Sequence, residues 1–335
     1  MTPLSLLRRL PHLISVLFGI TLIVFAMMSV TPGDPAEIML ASQNATPEQV
    51  ASLRHDMGLD QPAPARFLSF VSHAAMGDFG LSLFYRRPVA AVIVERLPAT
   101  IELSVAALLI AVLVSIPLGV VTAVHRGGIL DRVATVGSLL GVSLPGFWFG
   151  ILLLIEFAVN LRWLPVSGAI DFANQPPSVT GFLVVDSIIA WRAGSLGNAL
   201  AHLLLPAITL GLPMAAILMR VTRASMLEVL RQDYITFAEA KGLTRGRILG
   251  LHALKNALLP TVTVAALETG SLLGGNMVVE TVFGWPGLGR LVVESIFVRD
   301  YPLVQAAVLL YAVTYVMINF IADLIYTLLN PRVRI

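Results

Sequence analysis

Long runs of apolar residues, separated by shorter polar segments, dominate this chain of 335 residues. A helix needs about 20 mostly apolar residues to cross a bilayer, because each residue adds only about 1.5 Å along the helix axis. Six segments meet this requirement, namely residues 11–30, 99–124, 135–160, 199–219, 258–280 and 303–328. The pattern therefore predicts an all-α membrane protein with about six transmembrane helices. A shorter apolar stretch at 181–190, interrupted by Asp186, is predicted to be an interfacial or re-entrant piece of a loop.

The composition supports a membrane location. Hydrophobic residues make up 57% of the chain and charged residues 13%, and the mean hydropathy is +0.85. Soluble domains carry about a quarter charged residues, so a soluble fold is excluded. The basic residues are spread around the apolar segments, which predicts contact with membrane lipid and no nucleic-acid partner. Cysteine is absent, which excludes disulfides, thiolate metal sites and a cysteine nucleophile.

The distribution of positive charge predicts the orientation of the chain. With the N-terminus inside, thirteen of the 22 Lys and Arg residues lie on the cytoplasmic side, together with four acids. An even number of spans and the positive-inside rule then place both termini in the cytoplasm. Arg8 and Arg9 precede the first apolar run, as in a signal peptide, but that run is long and lacks a small-residue cleavage site. We predict that it is an uncleaved anchor.

The polar segments divide the chain into three parts. Residues 1–30 are predicted to form an N-terminal transmembrane helix, and residues 31–98 an extracytoplasmic loop or small subdomain. Residues 99–335 form a five-helix core, within which residues 220–257 form a basic cytoplasmic loop.

Motifs for catalysis are missing from the sequence. A phosphate-binding loop needs Gly-Lys before Ser or Thr, whereas the two lysines, Lys241 and Lys255, follow Ala240 and Leu254. Neither HExxH nor GxSxG occurs, and the six histidines do not show the spacing of metal ligands. We predict that the chain is not an enzyme and holds neither a metal ion nor a cofactor of its own.

Acids inside the predicted spans are candidates for a translocation path. An ionised acid at mid-membrane costs at least about 2.5 kcal/mol, so it normally faces a partner or a water-filled path. Glu268 lies near the middle of its span, where a hydrogen-bonded interhelical role and a pore-lining role both stay open. Ser271 and Asn276 follow on the same glycine-rich segment and complete the candidate path. Glu156 lies near the outer end of its span and is interpreted as structural.

The segment from Tyr234 to Pro260 contains two stretches of helical composition, 234–241 and 245–255, with Gly242 between them. Glycine is typical of a turn or helix C-cap. The segment is therefore predicted to form a helix-turn-helix that projects its turn away from the membrane. Small residues are expected to let a partner surface approach, and cations to pair with acids or lipid headgroups. These residues are Ala238, Ala240 and Gly242, and Arg245 and Arg247.

This segment resembles the cytoplasmic coupling loop of bacterial ABC importer permeases, in the branch that transports dipeptides, oligopeptides and nickel. The residues that carry the resemblance are Asp233-Tyr234, Ala238, Ala240-Lys241-Gly242-Leu243, His252 and Asn256-Ala257-Leu258-Leu259-Pro260. Further landmarks of the branch are Arg8-Arg9, Thr31-Pro-Gly-Asp-Pro35, Gly77-Asp-Phe-Gly80 with Ser82, Pro165-Val-Ser-Gly168, Thr222-Arg-Ala-Ser225, Phe283-Gly-Trp-Pro-Gly-Leu-Gly289, Asp300-Tyr-Pro302 and Asn330-Pro-Arg332. The glutamate that names the loop in other importer branches falls at Thr236, and Glu239 lies three residues later.

The resemblance, which is to the first permease of a pair, implies a fold like that of type I importers and a multi-pass location in the bacterial inner membrane. It implies a second homologous permease, two ATPase subunits that bind ATP and Mg, and an extracytoplasmic substrate-binding protein. The ATPase-coupling loop that it implies consists of Ala238, Glu239, Ala240, Lys241, Gly242, Leu243, Arg247, His252 and Asn256.

The cargo implied by the resemblance is a di- or oligopeptide. Nickel, glutathione and oligosaccharides stay open as alternatives, because related permeases share these motifs. An ion-coupled secondary transporter is the alternative from another class, and its titratable candidates are Glu156, Glu268 and Asp323. An intramembrane hydrolase is disfavoured because the chain lacks a nucleophile–base pair.

Overall fold

A computed structural model describes residues 3–30, 34–40, 45–56, 58–273 and 276–329. Within these ranges the regular structure is helical, apart from one isolated β-bridge between Leu81 and Pro88. The helices are α1 Pro3–Val30, α2 Pro35–Leu40, α3 Pro47–Asp56, α4 Ala63–Ala75, α5 Val89–Val124, α6 Ile129–Ser143, α7 Gly146–Leu153, α8 Leu183–Ile189, α9 Ala193–Val229, α10 Asp233–Ala240, α11 Arg245–Arg247, α12 Lys255–Leu273, α13 Met277–Val282, α14 Leu288–Phe297 and α15 Tyr301–Leu329. A 3-10 turn at Phe172–Asn174 and π-helical segments at Leu154–Asn160 and Ile248–Leu254 complete the described elements.

Membrane-crossing length is reached by four of the described helices: α5, α9, the continuous run Arg245–Leu273, and α15 as far as Ile321. The bent pair α6 and α7, with its π-helical extension, gives a fifth if it counts as one span. Helix α1 occupies the place of the first predicted span, although its apolar part among the described side chains, Ser15–Met27, is shorter. The all-α membrane fold is thus confirmed. Landmarks at Thr31–Gly33 and Asn330–Arg332 lie outside the described residues.

The prediction of one helix over residues 135–160 is wrong. Helix α6 ends at Ser143, and the chain turns by 105° before α7. Pro145 causes this break, since proline disfavours a helical conformation in the residue before it and has no N–H to donate. Leu144 accordingly adopts an extended conformation with φ −86° and ψ 136°.

The prediction of one helix over residues 258–280 is also wrong. The helix begins earlier, at Arg245, and ends at Leu273, and Glu280 belongs to the separate short helix α13. Two further predicted helix boundaries differ from those in the structure. Helix α5 begins at Val89 rather than near residue 99, and α9 continues to Val229, so the predicted basic loop begins inside a helix.

Helices α5 and α9 form the centre of the bundle. They run in the same direction, and their buried side chains share the largest apolar cluster, with Leu103 and Ala107 on α5 and Met214 and Leu218 on α9. Gly211 lets the two helices approach closely, since a Cβ there would lie 2.8 Å from the carbonyl oxygen of Ala107. The ends of this pair therefore carry the structures that are described next.

Candidate functional site

The predicted helix-turn-helix is present, and we call residues 233–254 the helical hairpin. Its turn has the hydrogen bonds of a Schellman motif: the N–H of Leu243 donates to the carbonyl of Ala238 at 3.3 Å, and the N–H of Gly242 donates to that of Glu239 at 2.9 Å. Gly242 has φ +75°, a conformation that favours glycine. The sequence thus fixes the turn through one glycine and through Leu243, which packs back onto the hairpin core.

An apolar core anchors the helical hairpin to the ends of the central helices. Ile235 of α10 and Ile248 of the second arm are buried against Ala123 of α5 and Met226 of α9. Helix α12 adds Ala257, which is completely buried. These residues form one cluster, so the hairpin packs directly on the ends of α5, α9 and α12.

A polar link joins the two arms of the helical hairpin. The hydroxyl of Tyr234 donates to the carbonyl of His252 at 3.3 Å and accepts from Nδ2 of Asn256 at 2.9 Å. The Asn256 amide also donates to the same carbonyl at 3.1 Å. His252 therefore contributes its backbone carbonyl to this link, and Tyr234, which was not among the predicted site residues, completes it.

The tip of the helical hairpin is exposed. Glu239, Ala240, Lys241 and Gly242 all face away from the bundle, and the Lys241 ammonium lies 4.5 Å from the centre of the Phe237 ring. Arg245 and Arg247 are also exposed, whereas Leu243 is half-buried. Ala238 differs from the expectation of a residue that faces a partner. It is buried in the hairpin core, because it lies three residues after Ile235 on the inward face of α10.

Polar contacts between side chains join α9 to its neighbours just above the hairpin. Arg223 of α9 donates from Nε to Oδ1 of Asp131 at 2.6 Å and from a terminal nitrogen to Oδ2 at 2.9 Å. The hydroxyls of Thr222 and Thr261 lie 2.9 Å apart and connect α9 to α12. Gly119 of α5 permits this crowding, since a Cβ there would lie 2.7 Å from Cβ of Thr222. The Thr-Arg-Ala-Ser landmark was visible in the sequence, whereas Asp131, 92 residues before Arg223, was not predicted as its partner.

The predicted translocation residues do not form one cluster. Glu268 is half-buried on α12, and Ser271 is exposed one turn further along the helix. Asn276 is half-buried at the start of α13, where its side chain makes no capping hydrogen bond. Glu156 is exposed and accepts from the Asn160 amide at 3.0 Å.

At the end opposite the hairpin, buried acids hold loops through backbone N–H groups. Glu280 accepts from the Thr100 hydroxyl at 2.9 Å and from the Arg290 N–H at 3.0 Å. Gly287 makes room for this carboxylate, because a Cβ there would collide with its Oε2 atom. The indole N–H of Trp285 donates to the Ala99 carbonyl at 2.8 Å. The Phe-Gly-Trp-Pro-Gly landmark therefore closes a loop over a buried glutamate.

Two other landmarks meet at the same end. Asp300, which is completely buried, accepts from the hydroxyl of Ser82 and from the N–H of Phe84 at 3.1 Å. Gly168 donates its N–H to the Phe283 carbonyl at 2.9 Å. Two buried glutamates, Glu102 and Glu280, lie in segments that the sequence predicted to be spans, but neither was among the predicted site residues.

The membrane bundle carries an anchored, outward-facing helical hairpin. The family model for the binding-protein-dependent transport system inner membrane component matches residues 115–335, and the model for the N-terminal part of such membrane components matches residues 4–104. The chain belongs to this family. It is an inner-membrane permease subunit of an ABC importer, and a transport component rather than an enzyme.

Several relatives cover nearly the whole chain. A di/tripeptide transport system permease of Pseudomonas aeruginosa is 43% identical over 98% of this chain and 97% of its own length. A dipeptide transport system permease of Escherichia coli is 44% identical over 98% of both chains. A glutathione transport system permease of Escherichia coli is 39% identical over 98% of both chains.

A solved structure shares the fold. A chain of the MetNI methionine ABC transporter in an inward-facing conformation superposes with a TM-score of 0.54 at 17% identity, covering 71% of this chain and 96% of that chain. A permease of this family functions together with a second permease, with ATPase subunits and with a substrate-binding protein.

Among the described residues, no group of three or more His, Asp or Glu side chains is arranged to hold a metal ion.

Proposed function

We propose that this chain moves dipeptides across the inner membrane and that its helical hairpin receives the driving motion from an ATPase subunit. The cargo is supported by two relatives of 43% and 44% identity that are named for dipeptide or di/tripeptide transport. The hairpin carries the mechanism. Its exposed tip, closed by Gly242 at φ +75°, stands on an apolar core that includes Ala123 of α5 and Met226 of α9.

The orientation and the partners follow from this assignment. Both termini and the loop that holds the hairpin lie in the cytoplasm, because the cytoplasmic side carries thirteen of the 22 Lys and Arg residues. Two ATPase subunits, which bind ATP and Mg, engage this permease and a second homologous one. The substrate-binding protein docks at the opposite, extracytoplasmic end, beside the loop or small subdomain of residues 31–98, whose last ten residues, 89–98, are the first turns of α5. A reporter fused at residue 128 or 245 tests the orientation, and a signal from the extracytoplasmic side would contradict it.

The coupling residues are Ala238, Glu239, Ala240, Lys241, Gly242, Leu243, Arg247, His252 and Asn256. Those at the exposed tip contact the ATPase, whereas Ala238 and Leu243 support the tip from inside and the His252 carbonyl and Asn256 brace the two arms. Motion of the tip then passes to α5, α9 and α12 as motion of a rigid body.

The translocation path follows the face of α12 that the chain itself leaves open. Pro260, Leu267 and Ser271 are exposed along this helix, at the spacing of one helical face. Glu268 lies beside this face, and Asn276 follows beyond the end of the helix. Glu268→Gln should therefore change the rate of uptake while leaving assembly of the complex intact. Unchanged uptake would assign the carboxyl to a structural role between helices.

The hairpin proposal is tested with two glycines of the same loop. Gly242 and Gly246 are both exposed, and a Cβ at either position would meet no atom within 4 Å in this chain, but only Gly242 has a positive φ. Valine is strained at positive φ, so Gly242→Val should distort the turn and leave the membrane helices inserted. We expect at least tenfold slower peptide uptake by the reconstituted complex, with weakened ATPase association or with hydrolysis no longer tied to uptake. Gly246→Val, the matched control, should retain uptake. Normal uptake and substrate-stimulated hydrolysis in Gly242→Val would contradict the assignment.

Glutathione is the second candidate cargo, supported by the relative that is 39% identical over 98% of this chain. Uptake by the complete transporter in proteoliposomes separates the candidates, with dipeptides, oligopeptides, glutathione, nickel and an oligosaccharide offered in turn. Faster uptake of dipeptides supports the primary proposal. Uptake of glutathione without dipeptide uptake would replace it.

A further inference from the structure

A cavity of about 550 Å³ opens at the end of the bundle opposite the helical hairpin. Its walls come from the first turns of α5, from the loop around Gly168 and Phe172, and from the Trp-Pro-Gly loop that Glu280 holds in place. Sites for small molecules commonly have volumes of about 300–1,000 Å³ and a few convergent polar groups. Charged side chains on this wall are Glu95, Arg96, Glu102 and Asp186.

Two of these four groups already have partners. Glu95 forms an ion pair with Arg87 on the exposed rim. Asp186 accepts from the Thr180 hydroxyl and from the N–H groups of residues 179, 180 and 181, at 2.7–3.2 Å. Burial alone would raise the pKa of Asp186, but these hydrogen bonds outweigh burial and hold the pKa below its usual value. Neither acid is therefore free to receive a ligand.

The third acid, Glu102, has one oxygen without a partner. Its Oε1 accepts from the Val184 N–H at 2.7 Å, whereas Oε2 is buried and makes no hydrogen bond to the described residues. The residue is 9% exposed. A buried polar atom without a partner is costly, so a donor that reached this oxygen from the cavity that Glu102 lines would be stabilised there. The fourth group, Arg96, is half-buried on the same wall and makes no hydrogen bond or ion pair among the described residues.

We infer that this cavity binds the two charged ends of a short peptide, with the peptide ammonium on Glu102 and its carboxylate on Arg96. This inference rests on the proposed peptide cargo and names the site that receives it. Arg96 and Glu102 lie six residues apart on α5, so their Cα atoms are about 9 Å apart along the helix axis. The two charged ends of an extended dipeptide lie about 6 Å apart, so with Glu102 held by the Val184 N–H the Arg96 side chain has to reach about 3 Å along the axis toward Glu102. Contacts with the termini alone accept many side chains, as a permease for mixed dipeptides requires.

Binding is measured on the assembled complex in nanodiscs, without the substrate-binding protein, by saturation-transfer NMR with dialanine as the probe. Glu102→Gln is the central variant, because glutamine still accepts from the Val184 N–H but carries no charge. We expect at least fivefold weaker dialanine binding in this variant and similarly weak binding of N-acetyl-dialanine to the unchanged complex. Arg96→Gln should weaken dialanine binding but leave binding of dialanine amide unchanged, since that ligand has no carboxylate.

Glu156→Gln serves as the matched control, because Glu156 is an exposed acid at the same end of the bundle and away from the cavity. It should bind dialanine as the unchanged complex does. Equal dialanine binding by Glu102→Gln, equal binding of the acetylated peptide, or no binding by the unchanged complex would each overturn the site. Uptake of dialanine in proteoliposomes, measured separately with the binding protein, judges the proposed cargo. If the Glu102→Gln complex imports dialanine and binds it as well as the unchanged complex does, the site alone is refuted.

Discussion

The two ends of this bundle are held together in different ways. At the hairpin end, the links between helices join side chain to side chain, as in the Arg223–Asp131 ion pair and the Thr222–Thr261 contact, and Asp131 also accepts from the Gly127 N–H at 2.9 Å. At the opposite end, buried carboxylates accept from backbone N–H groups. Glu280 does so from Arg290, and Asp300 from Phe84.

The two kinds of contact have different structural effects: one joins helices to each other, and the other fixes loops. A contact between two side chains joins helices that stay straight, so the helices can move together as one body. A carboxylate that accepts from backbone N–H groups fixes the path of a loop, because it satisfies polar groups that a loop cannot pair within itself. The hairpin end thus joins helices to one another, and the opposite end fixes the loops around a cavity.

The largest effect is expected for Glu280→Ala. This change leaves the Thr100 hydroxyl and the Arg290 N–H buried without their acceptor, which should cost about 3 kcal/mol of unfolding free energy. Denaturant titration of the purified chain in mixed micelles measures the loss. Glu294→Ala is the control, since this partly exposed acid pairs with Arg290 on the surface and should cost less than about 0.5 kcal/mol. Equal losses of unfolding free energy in the two variants would show that the buried carboxylate does not stabilise this end more than a surface ion pair does.

A smaller effect is expected for Asp131→Asn at the hairpin end. Arg223 then keeps its charge without its bidentate partner, and since Arg223 is partly exposed the loss should be about 2 kcal/mol. A double-mutant cycle with Arg223→Gln isolates the pair, because the double variant should lose less than the sum of the single variants. Glu228→Gln on the exposed side of α9 should change little. Additive losses would show that the pair does not join α6 to α9.

Gly242→Ala sharpens the role of the hairpin turn. Alanine at φ +75° should cost about 1 kcal/mol, because a Cβ crowds the backbone in the left-handed region. Gly246→Ala should instead be neutral or stabilising, since Gly246 lies in α11 and has space around it. Hydrogen exchange of hairpin amides compares the two variants directly. Faster exchange in both variants would mean that any added side chain in this loop destabilises the hairpin, whether or not the glycine has a positive φ.

The smallest effect is expected for Tyr234→Phe. The hydroxyl links the two arms at an exposed position, so its loss should cost about 0.5 kcal/mol. Uptake should fall less than twofold, while local hydrogen exchange around His252 should rise. A loss of unfolding free energy as large as that of Asp131→Asn would mean that the link between the two arms stabilises the hairpin end as much as the contacts between helices do.

The sequence predicted the helical hairpin well because its signals are local. Gly242 between two helical stretches is enough to predict the turn, and Leu243 after it has the apolar character that a Schellman motif requires. Pro145 is an equally local signal for the break after α6, and the prediction of a single span at 135–160 gave too much weight to continuous hydrophobicity. The buried role of Ala238 was missed because its outward or inward direction depends on what α10 packs against.

Hydrophobic run lengths, the placement of Lys and Arg, and the glycine of the hairpin are properties of neighbouring residues, so the sequence alone determined the membrane class, the expected orientation and the hairpin. The partners of the buried acids were decided only by the tertiary structure. Asp300 meets Ser82, and Glu280 meets Thr100, across more than a hundred residues of chain. No local pattern encodes such pairs, because an acid in an apolar segment looks the same whether it meets a distant hydroxyl, as Glu280 does, or lines a cavity, as Glu102 does.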